Sequence, residues 1–312
     1  MTTIDKIMEL NRNPKLSDWF RNKLIELIGF GVYHNNIPQL RSRLVSGISE
    51  YCTQYQTYNV VIGMSGGIDS ALTAALFREA GCNVFGVTLP IHQNPDETAR
   101  GIEACEALGI QHINVDLTKQ YDFVVADTIS NFGDTSIGND DRASAMRRGN
   151  IRARLRMITL YNLAGKYKGF VASTDNFSEL AAGFWTLHGD VGDVAPIQSL
   201  IKSWEVPALA ELVGVPESTV KAVPTDGLGI ANGDEDQFGF SYLHFDIGLF
   251  TLMRRGSLAS AKAEDKAIID AISKRIQGST YKRANPFNLY HPFDQTRYEN
   301  LKELDYKLRS EQ

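Results

Sequence analysis

A doubly wound α/β sheet is the fold that this 312-residue sequence predicts. Three observations point there. Short β-branched runs alternate with amphipathic stretches of helical period, as strand–helix–strand units require. The runs are largely apolar, as expected of strands buried on both faces of a parallel sheet. A glycine turn, Ser65-Gly66-Gly67-Ile68-Asp69-Ser70, joins the first run to the helical stretch behind it.

Residues 1–55 read as a helical leader. Leu24, Leu27 and Ile28 recur at helical spacing, as do Leu40, Leu44 and Ile48. Five strands are predicted: Asn59–Met64, Val84–Leu89, His112–Leu117, Gly169–Thr174 and Val220–Val223. Helical patterns fill the intervals at Ser70–Ala80, Asp96–Leu108, Lys119–Phe132, Ala143–Lys166 and Trp204–Leu212. The sum is a five-stranded parallel sheet with helices on both faces. Thr225–Gln237, rich in glycine, asparagine and acids, reads as a mobile loop, and so does Gly278–Pro292, with Lys282, Arg283 and two prolines. No linker divides the chain. It reads as one main domain, 56–290, between the leader and a charged helical tail, 291–312.

Composition narrows the function. Apolar residues make up 43% and charged residues 22%, as in an ordinary globular protein. The net charge of −5 lacks the basic excess of a nucleic-acid binder, so no nucleic-acid partner is expected. Cys52, Cys82 and Cys105 form no CxxC pair and are odd in number, which fits a reducing compartment and a cytoplasmic location. No basic-then-apolar start marks a signal peptide. No apolar stretch approaches the ~20 residues needed to cross a bilayer, so no membrane partner is expected. The six histidines show no HExxH spacing and read as structural.

The turn at Ser65–Ser70 carries the chemistry. Strand, glycine turn and helix form the context in which phosphate meets a helix N-terminus, where free N–H groups and the dipole favour an anion. Gly66 and Gly67 let the backbone approach closely. Ser65 and Ser70 add hydroxyl donors. Asp69 suits magnesium, which takes oxygen ligands and shares them with phosphates. A plain glycine turn capped by serines is the bland alternative. Five such fixed positions arise by chance in only about 5 × 10⁻⁴ of chains this long, and the flanking strand and helix lower that further. Neither the Walker A pattern nor the Rossmann glycine fingerprint is met.

SGGxDS in this setting resembles the loop of the pyrophosphatase-loop superfamily, whose Rossmann-like members cleave ATP between the α and β phosphates and adenylate a carboxylate or similar oxygen. Further segments resemble one branch, the ammonia-dependent NAD synthetases. Gly149-Asn150-Ile151-Arg152-Ala153-Arg154-Leu155-Arg156-Met157 is similar to that family's GN-x-x-AR-x-RM helix. Ser173-Thr174-Asp175-Asn176-Phe177-Ser178-Glu179 resembles its GTD-x-x-x-E strand end. Gly183-Phe184, Gly189-Asp190 and Asp193-Val194-Ala195-Pro196-Ile197 follow in the family's order, then Leu200-Ile201-Lys202, Pro224-Thr225 and Tyr281-Lys282-Arg283. The similarity runs from about residue 37 to 286.

The resemblance implies a set of roles. Asp69 and Glu179 bind magnesium. Ser65, Gly66, Gly67, Asp69, Ser70, Thr174, Lys202 and Thr225 bind ATP. Arg154, Asp193, Tyr281 and Lys282 contact nicotinic acid adenine dinucleotide (deamido-NAD). Asp69, Lys202 and Lys282 serve catalysis. The implied reaction joins ammonia to the deamido-NAD carboxylate through an acyl-adenylate, giving NAD, AMP and pyrophosphate. Cations and magnesium aimed at departing pyrophosphate stabilise the transition state more than the ground state. Three positions depart from the family pattern: Leu187 replaces a lysine, His188 an aromatic and Tyr281 a histidine.

The family resemblance further implies a homodimer with the helix at Ala143–Lys166 in its interface. A lid at Gly278–Pro292 would shield the acyl-adenylate from water. The 55-residue leader lacks strands and cannot house a glutamine amidase, so free ammonia is the expected donor. A separate partner chain feeding ammonia stays compatible with the sequence. Two alternatives remain at this point: another pyrophosphatase-loop amide- or sulfur-transfer enzyme, and a catalytically dead nucleotide-binding subunit.

Overall fold

A computed structural model describes residues 2–31, 33–222 and 239–284. Its sheet has four parallel strands among the described residues: β1 (Asn59–Gly63), β2 (Asn83–Thr88), β3 (Gln111–Asn114) and β4 (Phe170–Val171). Their order is β3-β2-β1-β4. Val60 pairs with Val84 on one side and Phe170 on the other. The chain moves outward through β2 and β3, then returns across β1 to lay down β4. The direction of winding reverses between β1 and β4. In open parallel sheets ligands bind at the carboxyl ends of the strands beside such a switch point.

Helices cover both faces, and strand alternation explains how. Val60 and Ile62 of β1 point into a core shared with α3 (Ile37–Tyr55), α4 (Ile68–Glu79), α5 (Pro95–Leu108) and α9 (Glu205–Leu212). Val61 points the other way, into a core with α6 (Thr118–Phe132) and α7 (Arg142–Tyr167). A third core joins α1 (Thr3–Leu10) and α2 (Asp18–Phe30) to α8 (Phe177–Ala182), α11 (Tyr242–Met253) and α12 (Ala263–Gly278). Phe20 and Leu24 of α2 are fully buried there. Burying each such side chain contributes about 2–3 kcal/mol, enough to dock the leader firmly. Local signals delimit these helices. Ser17 caps α2 and Gly31 ends it at φ 63°, while Asn36 caps α3 with Pro38 in its first turn.

Two expectations need correction. The strand at Val220–Val223 is not formed. Val220 closes the short helix α10 (Glu217–Val220), and Val223 lies outside the described residues. A brief apolar run cannot separate a strand from a helix end by period alone. The place beside β4 goes instead to Val194, which makes a single parallel bridge to Ala172. Pro196 lacks the N–H that a longer ladder needs. The second correction concerns Gly278–Pro292. Gly278 ends α12, and Thr280–Arg283 forms a further helix, α13. Residues 285–292, the loop Thr225–Gln237 and the tail 293–312 lie outside the described residues.

Candidate active site

The first strand delivers the glycine turn to the switch point. Gly66 sits at φ 83°, and a Cβ there would lie 2.1 Å from the Glu97 carbonyl oxygen. Only glycine lets the turn lie this close to α5. Gly67 is the N-cap of α4 and offers no side-chain cap, so the first-turn N–H groups keep their capacity for an anion. Ser65 and Ser70 brace the turn. Their hydroxyls lie 3.2 Å apart, and Ser70 Oγ donates to the Gly67 carbonyl at 2.9 Å.

Asp69, on the first turn of α4, meets residues from two other segments. Asn176 Nδ2 donates to its Oδ1 at 3.1 Å. The Lys202 ammonium pairs with its Oδ2 and lies 3.9 Å from Glu179 Oε1. Asn176 and Glu179 form the capping box that starts α8, so the box aims the Glu179 carboxylate at this cluster. Lys202 is 8% exposed, and its ammonium lies 5.6 Å from the centre of the Tyr242 ring. Beside the cluster, Asp175 is buried and accepts from Ser173 Oγ and, at 2.5 Å, from Gln198 Nε2.

These groups border a cavity of about 450 Å³. Of the residues singled out in the sequence, Ser65, Gly66, Gly67, Asp69, Ser70, Thr174, Glu179, Lys202, Arg154, Tyr281 and Lys282 line it. Two expected residues do not join them. Thr225 lies outside the described residues. Asp193 is absent from the lining; its Oδ1 accepts from Tyr161 Oη at 2.8 Å and its Oδ2 from the Val171 N–H at 2.9 Å. The lining cations are Arg100, Arg142, Arg154, Arg156, Arg275, Lys202 and Lys282; the acids are Asp69, Asp175, Glu179 and Asp190. Cations outnumber acids seven to four in a chain of net charge −5. Such local inversion of charge fits a polyanionic ligand.

Sequence reasoning gave no role to several lining groups. Arg156 sits two positions after Arg154; its guanidinium donates to the Leu89 carbonyl at 3.1 Å and to Gln93 Oε1 at 3.2 Å. Arg100 donates to the Gly66 carbonyl at 3.4 Å, a contact that no local pattern announces. Lys282 is not on an open loop. Its ammonium donates to the carbonyls of Gly183, at 2.8 Å, and Trp185. Arg283 donates to the Leu180 and Ala181 carbonyls. Both cations thus cover carbonyls at the end of α8 and just beyond it, where the helix dipole is negative.

Asp190 is a half-buried acid of the cavity wall. Burial pushes its carboxyl up to about 6, against the opposing pull of the Thr186 N–H, Arg156 and Lys282. A carboxyl raised on folding stabilises below its unfolded pKa, and that gain is lost as pH rises through about 6. Asp190→Asn should therefore stabilise the protein relative to wild type by roughly 2 kcal/mol more at pH 8 than at pH 4. Thermal melts at both pH values check this. A difference in Tm that does not change with pH would contradict it.

The sheet order, the uncapped α4 terminus and the cation-rich cavity define a nucleotide-binding α/β protein with a pyrophosphatase-type loop. A family model described as NAD synthase matches residues 40–286. The chain belongs to the NAD synthase family. It is 33% identical over 253 residues to an NH(3)-dependent NAD(+) synthetase of Alkaliphilus oremlandii, covering 80% of this chain and 96% of that one. The NH(3)-dependent NAD(+) synthetase of Pyrococcus furiosus is 34% identical over 260 residues, covering 80% and 94%. Among solved structures, an NMN synthetase from Francisella tularensis aligns with TM-score 0.69 and 28% identity, covering 81% of this chain and 98% of that one. An NH3-dependent NAD synthetase from Campylobacter jejuni aligns with TM-score 0.65 and 27% identity, covering 81% and 99%.

Proposed function

We propose that this chain catalyses ATP-dependent amidation of deamido-NAD to NAD with free ammonia. The observation that carries this reading is the convergence of Asp69, Glu179 and Lys202 on the uncapped end of α4 at the switch point. A carboxylate oxygen of the substrate attacks the α-phosphorus of ATP, and pyrophosphate departs. Ammonia then attacks the acyl carbonyl, AMP departs and a proton is released. The Ser65–Ser70 turn and the α4 N–H groups cradle the phosphates. Lys202 neutralises the charge that develops there, with Thr174 beside the nucleotide. Arg154, Tyr281 and Lys282 line the part of the cavity assigned to the dinucleotide. Asp193, outside the cavity, we assign to holding β4 through Val171.

Two carboxylates already converge on one cation at Lys202, and that donor set fits magnesium. The metal binds through one or two carboxylates and completes its shell with water and phosphate oxygens. Asp69 and Glu179 would hold it, and it would supply charge neutralisation at the phosphates.

One relation favours a second reading of the substrate. The aligned Francisella structure is that of an NMN synthetase, so nicotinic acid mononucleotide is the alternative acceptor. Incubation with ATP, magnesium, ammonium and an equimolar mixture of both acids decides between them by mass spectrometry. NAD as the main product supports the proposal; NMN as the main product replaces it.

Two further assignments belong to this proposal. No described helix is long and apolar enough to cross a membrane, and the three free cysteines are buried, which suits the reducing cytoplasm. The outer faces of α6 and α7 expose Phe123 at 71%, Phe132 at 80% and Ile158 at 67%. We assign them to a two-fold homodimer interface. Light scattering at micromolar concentration should give twice the 34.6 kDa chain mass, falling to one chain for Ile158→Asp. A wild-type monomer would contradict this assignment.

A further inference from the structure

Lys202 is held by side chains that lie outside the cavity. Ile201, Lys202 and Ser203 precede α9, and their three successive backbone N–H groups meet three different side chains. Ile201 donates to Glu205 Oε2 at 2.9 Å, Lys202 to Ser178 Oγ at 3.1 Å and Ser203 to Asp246 Oδ2 at 3.1 Å. Ser203 Oγ donates to the same Asp246 oxygen at 2.5 Å. The other Glu205 oxygen accepts from the His34 N–H at 2.7 Å, which ties the leader to this turn.

Glu205 and Asp246 are 1% and 0% exposed, and neither borders the cavity. Their neighbours in sequence Trp204, Phe245 and Ile247 are fully buried. Burying a carboxylate there is costly, and burial pushes Asp246 up to about 6. Apolar side chains would fill this core at lower cost, so packing alone does not account for the two acids. What they do is fix the backbone on both sides of Lys202. A lysine stem has four rotatable bonds, so its ammonium is localised only if its base is fixed.

We propose that Asp246 and Glu205 are positioning residues, which clamp the Ile201–Ser203 backbone so that the Lys202 ammonium meets Asp69, Glu179 and the phosphates of ATP. The proposal rests on the role assigned above to Lys202. Groups that orient a functional side chain typically matter about 10–100-fold.

A double-mutant cycle tests it on the full-length protein. The variants are Asp246→Ala, Lys202→Ala and the pair, with kcat for AMP release, KM for ATP and Tm measured for each. Asp246→Ala, which removes the acceptor of both Ser203 bonds, should lower kcat about 10–100-fold with less than about threefold change in KM. In the Lys202→Ala background the same substitution should lower kcat less than about twofold, because no ammonium remains to be placed. Its effect on Tm should be equal in both backgrounds. Equal losses of kcat with and without Lys202 would overturn the proposal and leave Asp246 a structural residue. Wild-type turnover by Lys202→Ala alone would instead overturn the premise about Lys202. If Asp246→Ala does not fold, Ser203→Ala takes its place in the cycle, since it removes one donor to the same oxygen. Glu205→Gln, which turns one acceptor into a donor, should show the same non-additivity with Lys202→Ala.

Discussion

Asp69→Ala is expected to lower kcat by about 10²–10³-fold while the protein remains folded, the usual cost of removing one positioned electrostatic contributor. Asp69 joins three parts of the site. It stands on α4 beside the phosphate turn, accepts from Asn176 and pairs with Lys202. Its loss removes a proposed magnesium ligand and leaves the Lys202 ammonium with Glu179 at 3.9 Å. Stability falls too, because a poorly exposed ammonium loses its nearest counter-charge. Steady-state turnover and a thermal melt separate the two effects. Near-normal turnover in a folded variant would falsify the assignment of Asp69 to the reacting phosphates.

Gly66→Ala should be nearly as damaging, for a steric reason. The new Cβ would meet the Glu97 backbone oxygen at 2.1 Å, and the residue would have to hold φ at 83°. The left-handed backbone alone costs roughly 1–2 kcal/mol. The clash is with backbone, so the turn itself must shift away from α5. A displacement of the phosphate turn should raise the KM for ATP at least tenfold, equivalent to about 1.4 kcal/mol of lost binding. Gly81→Ala is the matched control. It has the same φ of 83° but nothing within 4 Å of the added Cβ. It should lower Tm and leave the KM for ATP unchanged. Equal effects of the two substitutions on KM would show that the close approach at Gly66 has no bearing on nucleotide binding.

The two glycines show which part of the site the sequence could reveal. A local pattern places residues that act on one another within a few positions. Ser65–Ser70 was legible because its glycines, serines and acid lie between a strand and a helix of clear period. The capping box at Asn176 and Glu179 is equally local, but Ser173–Glu179 reads only as a family-like strand end, and helix α8 is not expected from it. The Asp69–Lys202 pair spans 133 positions and has no local signature; the family resemblance implied a role for each residue but not their contact. Arg100, which reaches Gly66 from α5, and Asp246, which holds Ser203 from α11, had no local signature. The fold divides in the same way. Strands β1 and β2 and helices α4 to α7 carried strong periods and emerged within a few residues of their predicted bounds. Helix α11 did not emerge, because ten of its twelve residues are buried and no polar face marks its period. The expected fifth strand failed because so short a run, Val220-Lys221-Ala222-Val223, can end a helix as readily as form a strand.

The nature of ATP cleavage tests the central claim most directly. The wild-type protein is incubated with ATP, magnesium, ammonium and deamido-NAD, and the nucleotide and phosphate products are quantified together. The geometry at Ser65–Ser70 and Lys202 predicts one AMP and one pyrophosphate for every NAD formed, with no AMP in the absence of the acid substrate. ADP and inorganic phosphate as the products, in step with amide formation, would contradict adenylation and with it the role given to the phosphate turn.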